Sequence, residues 1–145
     1  MSSNHVKVDS LGNPKDSSYP SQIEDITAAK TLTADDHGKT FMLNAAAGVQ
    51  VDLPAVADIV SGWSIKAVVK AAFATTDFTI VSATNVIEGH ANVNNTLVQA
   101  VNENTISFVA SAENIGDYVD IVFNGTSFIV SGVGFASGAI TFTAP

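Results

Sequence analysis

The chain has 145 residues, a net charge of −8, and 14% charged against 46% hydrophobic side chains. It holds no Cys and no Arg, and its whole positive charge is Lys7, Lys15, Lys30, Lys39, Lys66 and Lys70. This excludes a disulfide scaffold and a chain disordered throughout, and it weighs against any polyanionic partner, because phosphate and anionic-lipid binding need clustered Lys and Arg.

Residues 1–22 are rich in Ser, Asp, Asn, Pro and Gly, with large apolar residues coming singly. Such a composition cannot bury enough area to form a core alone. An extended arm or linker is expected over 1–28, with Val6, Val8, Leu11, Tyr19 and Ile23 as candidate contacts to neighbouring subunits. The stretch MSSNHVKVDS has no apolar core of a signal peptide, so synthesis in the cytoplasm without secretion is expected. Ile23–Ala29 reads as one helical turn or a linker.

From residue 29 to 145 the period is two, and the region reads as one β domain. Expected strands are Lys30–Thr33, a segment with Phe41 and Leu43 on one side, Val49 to Leu53 ended by Pro54, and Ser64–Ala71. The Val68-Val69 doublet suggests burial on both faces or a bulge. Phe78–Ser82, Asn85–Gly89, Thr96–Val101 and Thr105–Ala110 follow. Tyr118–Phe123 and Ser127–Ser131 read as a hairpin about Asn124-Gly125, a dipeptide suited to a type I′ turn. Gly132, Gly134 and Gly138 loosen the chain before a last strand, Ala139–Thr143. About ten short strands without an amphipathic helix predict an all-β fold: an antiparallel sandwich, jelly-roll-like, or a small barrel.

Groups equipped for chemistry are scattered. Asp35-Asp36-His37 is the densest polar triplet, but adjacent residues point apart and no calcium-loop spacing is present, so a solvated turn is expected. Glu88 and His90, two apart on a strand, share a face but have no nucleophile or third partner. Asp117 and Asp120 fall on opposite faces, wrong for a carboxylate pair, and Asp117 suits a turn cap. The glycines lack the Lys-Ser/Thr of a phosphate loop. Asn94-Asn95-Thr96 and Asn124-Gly125-Thr126 fit the glycosylation sequon, which carries no weight without a secretory signal. Trp63, Phe41, Phe78, Phe108, Phe123, Phe128 and Phe142 read as core, with Trp63 the one aromatic placed to serve as a platform. No catalytic residue, metal ligand or cofactor is expected.

Leu32–Ala55, Asn104–Gly132 and Gly138–Thr143 resemble a β module of virion proteins from tailed bacteriophages. The pattern is carried by Leu32-Thr33-Ala34, Asp36, Gly38-Lys39, Phe41, Leu53-Pro54, Thr105 to Val109, Gly116-Asp117 and Asn124 to Phe128; Phe128 stands where Trp is common. The likeness covers most of residues 30–143. It implies a structural, non-enzymatic virion protein, most like a capsid decoration or cement protein on the outer surface of the head. Its partners would be the major capsid protein and copies of itself, as a trimer or a dimer. The same module is also used in tail proteins, so the alternative is a receptor- or glycan-binding part of a tail fibre or spike.

Overall fold

The computed structural model describes residues 22–145. Twelve strands form two sheets: β1 Ile23–Ile26, β2 Lys30–Thr31, β3 Thr40–Leu43, β4 Gln50–Asp52, β5 Ser64–Val69, β6 Phe78–Val81, β7 Ile87–Val93, β8 Thr96–Glu103, β9 Thr105–Phe108, β10 Tyr118–Phe123, β11 Phe128–Gly134 and β12 Ile140–Thr143. Single 3-10 turns stand at Ala34–Asp36 and Val56–Asp58. A seven-stranded sheet in the order β1-β3-β5-β10-β11-β7-β8 faces a five-stranded one in the order β12-β9-β6-β4-β2. The all-β sandwich expected from the two-residue period is therefore present.

The pairing is not purely antiparallel. From β1 to β6 the chain alternates between the sheets, so β1, β3 and β5 pair in parallel in one, and β2, β4 and β6 in the other. Parallel neighbours need a long crossover. Here the strand in the opposite sheet is that crossover, and no helix is required. The later strands close by hairpins, β7 with β8 and β10 with β11, while β7 also lies parallel to β11. Only Asn104 separates β8 from β9, so the chain turns there from one sheet into the other.

Between the sheets lies one apolar core with five fully buried phenylalanines, Phe41, Phe73, Phe78, Phe108 and Phe128. Trp63 is also core: it packs edge-on to Phe128 at 6.1 Å and donates its indole N–H to Thr33 O. Phe142 is only partly buried against it.

Several local expectations are corrected. Ile23–Ile26 is a strand rather than a helical turn or linker, because its backbone pairs with β3 and Ile26 reaches the core. The Val68-Val69 doublet makes no bulge; Val69 is buried and Val68 lies half-buried on the outer face. The bulge lies instead in β8, where Val101 and Asn102 oppose Glu88 and Asn102 takes φ 54°. The type I′ residues are Asn94 and Asn95, at φ 52° and 61°, joining β7 to β8. At Asn124-Gly125 only Gly125 has positive φ, and the Asn124 side chain accepts from the N–H of Thr126 and Ser127. Gly132 and Gly134 lie within β11 rather than loosening it.

Candidate interaction surfaces

The stretch Leu32 to Phe41 is a structural lock. Thr33 caps the first 3-10 turn through Asp35 N–H, and Asp36 Oδ2 accepts from Thr33 N–H in return. Asp36 is thus 5% exposed, not the solvated residue expected. Its other oxygen takes Lys39 Nζ at 2.9 Å, and Lys39 also reaches Glu24, which binds Lys30 as well. Both lysines stand over the Phe41 ring, at 5.7 and 6.0 Å. This ties β1 and β2 to β3.

Hydrogen bonds from Lys30 and Lys39 hold the Glu24 carboxyl below its usual range. Burial works against the charged form of Asp36, but Lys39 and the Thr33 N–H outweigh it and its carboxyl is also lowered. The same bonds to Glu24 and Asp36 push Lys39 above the ordinary lysine range. On the outer face, Lys70 and Asn44 lower Asp25 in the same way. A lowered carboxylate stabilises the fold above its unfolded value, about pH 4, and that contribution fades as pH falls through the lowered folded value. A raised lysine stabilises below about pH 10.4 and loses that contribution at higher pH. Stability from this cluster is therefore expected to be level between these limits and to fall in acid below about pH 4. Urea unfolding of the protein and of Lys39→Met at pH 7, 4 and 3 checks it: the acid loss should be smaller in the variant, and superimposable profiles would refute the linkage.

The other groups singled out in the sequence stay apart. Glu88 and His90 share the outer face of β7 as expected, opposite Ile129 and Ser131, with no hydrogen bond between them. Asp117 caps a turn as expected: 4% exposed, it accepts from Asn114 N–H at 2.9 Å and from Phe135 N–H at 3.1 Å. His37, Asp58 and Ser61 line one groove of about 530 Å³ at the end of the sandwich where β5 starts. His37 Nδ1 accepts from Ser64 N–H, so the imidazole offers that groove an Nε2–H donor rather than a base, and no carboxylate orients it. Among the described residues no three His, Cys, Asp or Glu are placed to hold a metal ion.

The surfaces that stand out are the two outer sheet faces, which differ in chemistry. Register places Gln50, Thr79, Ser107 and Thr141 in one cross-strand row of the five-stranded sheet, and Thr31, Asp52, Val81, Thr105 and Thr143 in the next. That face is hydroxyl-rich. On the seven-stranded sheet one row reads Asp25, Met42, Val68, Tyr118, Val133, Asn92 and Leu97. Lys66 covers the Tyr118 ring at 4.5 Å, and the next row on this face, Thr40, Lys66, Asp120, Ser131, His90 and Gln99, is polar and charged and separates these residues from Val122 and Ile129. Leu97, Val122, Ile129 and Val133 are all exposed. Along β11 the alternation carries this outward side from Ile129 through Ser131 and Val133 to Phe135, which is 76% exposed. Phe135 is not among the residues nominated from sequence, although its even spacing from Ile129 and Val133 is a readable signal.

Of the candidate contacts, Val6, Val8, Leu11 and Tyr19 lie outside the described residues. Ile23 is on β1, an edge of the seven-stranded sheet, and is 61% exposed. Gln22, the first described residue, therefore leads into the sheet that carries the row from Met42 to Leu97 on its outer face. Comparisons of the chain with family models, with curated proteins and with solved structures find no match.

Proposed function

We propose that the protein is a structural component of a tailed-phage virion, a capsid decoration protein that binds the outside of the head and stabilises the shell. The observation that carries this reading is the contrast between the two sheet faces: one is hydroxyl-rich, the other presents Met42, Val68, Tyr118, Val133 and Leu97 in a single row. Exposed apolar side chains and an aromatic in one row, with a polar and charged row beside them, have the composition of a protein-binding face with a polar rim. The resemblance of Leu32–Ala55 and Asn104–Gly132 to phage virion modules supplies the context. Those motif positions are turns and core, so they support the fold of such a module, and the apolar face supports its task.

In this reading the face docks on the major capsid protein, and residues 1–22 extend the grip from the β1 edge. Copies assembled as a trimer or a dimer hold several shell subunits at once, so weak contacts add into one multivalent attachment that resists internal pressure. Net charge of −8 keeps free subunits apart, leaving apolar and main-chain contacts to hold them on the shell.

The test is co-sedimentation of purified protein with mature heads stripped of it. The protein should pellet with heads, with little loss between low and moderate salt, while Val133→Lys combined with Leu97→Lys should bind at least about tenfold more weakly and melt within about 0.5 kcal/mol of the parent. Deleting residues 1–20, which spares the Gln22 carbonyl bonded to Thr40 N–H, should also weaken attachment. Imaging that finds the protein only on tails, or heads that fail to bind it, would refute the reading.

A further inference from the structure

Where β11 ends beside the β7–β8 turn, Asn92, Asn94, Asn95, Val133, Gly134 and Phe135 line a cavity of about 170 Å³. Its position is fixed from two sides. Asn94 N–H donates to Gly134 O at 2.9 Å, and Phe135 N–H donates to the buried Asp117 carboxylate at 3.1 Å. Asn94 and Asn95 are held at φ 52° and 61° by the two-residue turn. The Phe135 ring is 76% exposed, yet its backbone is anchored. The side-chain amides of Asn92, Asn94 and Asn95 make no hydrogen bond to any other described residue. No acidic or basic side chain lines the cavity.

We propose that this cavity is a binding site for a neutral saccharide residue. An aromatic ring offers a flat apolar surface for the C–H face of a sugar, and each carboxamide offers both an acceptor and two donors, matching hydroxyls that donate and accept. The missing charge disfavours phosphate, sulfate or carboxylate ligands, and the volume, below that of ordinary drug-sized pockets, fits one ring rather than an extended ligand. A ligand of that size supports a Kd of about millimolar, raised in effect when several copies display the site together. Asn92 and Val133 also belong to the row to which docking is assigned, so the site is open on the free protein and closed wherever that face is covered.

The test is two-dimensional ¹H–¹⁵N NMR of the full chain, titrated separately with methyl glycosides of glucose, galactose, mannose and N-acetylglucosamine up to about 20 mM, well above that Kd. At least one should shift the side-chain amides of Asn92, Asn94 and Asn95 and the backbone signals of Gly134 and Phe135 saturably. Phe135→Ala and Phe135→Leu should weaken that binding at least tenfold, whereas Phe135→Trp retains it, separating ring stacking from general apolarity. Failure of all four glycosides, or equal binding by Phe135→Ala, overturns the site. So does a drop in the sugar-free sedimentation coefficient on Phe135→Ala, since the ring would then be a subunit contact.

Discussion

Phe128→Ala is expected to remove about 3–5 kcal/mol of unfolding free energy, a large fraction of the roughly 5–15 kcal/mol that holds a folded domain together. Phe128 is completely buried. It packs against Trp63 at 6.1 Å and Phe123 at 5.2 Å, and it is paired with Ile87 on its other side. Truncation forfeits the transfer energy of the ring and leaves a cavity that two large neighbours cannot easily fill. Collapse is hindered because Trp63 is tethered through its indole N–H to Thr33 O, and Phe128 N–H is fixed to Val86 O. The loss should lower the melting temperature by about 10–15 °C. Phe128→Leu, which refills much of the volume, should lose less than half as much. Calorimetry or urea unfolding decides; a loss under about 1.5 kcal/mol for the alanine variant would mean that the aromatic cluster is not a principal support of the sandwich.

The same residue shows what is legible in the chain. Alternation of apolar and polar residues places Phe41, Phe78, Phe108 and Phe128 inside, and all four are buried, because a side chain's face depends only on its own strand. Which strands pair is a different matter. The parallel coils β1-β3-β5 and β2-β4-β6 depend on where the chain crosses between sheets, and residues in Gly38, Gly48 or Pro54 loops announce a turn without announcing its direction. β1 escapes a reading by pattern because IEDI has only two apolar residues, and its strand form comes from Phe41 and Leu43 next door and from the Glu24–Lys39 pair. Asn124-Gly125 has the stronger turn signal, but Asn94-Asn95 makes the two-residue turn; both dipeptides tolerate positive φ, and the deciding factor is strand register. Asp36 looks solvated in sequence, which does not reveal that Lys30 and Lys39 converge on it from two sides. For the same reason the apolar row on the outer face is invisible there: Met42, Val68, Tyr118, Val133 and Leu97 come from five strands, and only register brings them together.

Gly89→Ala is expected to be nearly as damaging as the loss of Phe128, although it adds a single methyl group. Gly89 sits in β7 at φ +125°, where a side chain is strained, and faces Val130 in the parallel pairing with β11. A Cβ there would lie 2.1 Å from Val130 O and 3.0 Å from Val130 N. The obstacle is backbone, which cannot rotate away as a flexible side chain would. Backbone strain contributes about 1–3 kcal/mol and forced overpacking a similar amount, so a total near ~4 kcal/mol is expected. Gly62→Ala separates the two effects. Gly62 has φ +101° but nothing within 4 Å of where its methyl group would stand, so its substitution should cost only the strain, about 1–3 kcal/mol. If both variants lose the same stability in urea, the close approach of β7 to β11 contributes nothing. If Gly89→Ala loses more, the excess should appear as faster amide exchange in β7 and β8, the two strands that β11 holds to the rest of the seven-stranded sheet. Those strands carry Asn92 and Leu97, so this one contact also fixes the edge of the face proposed for docking.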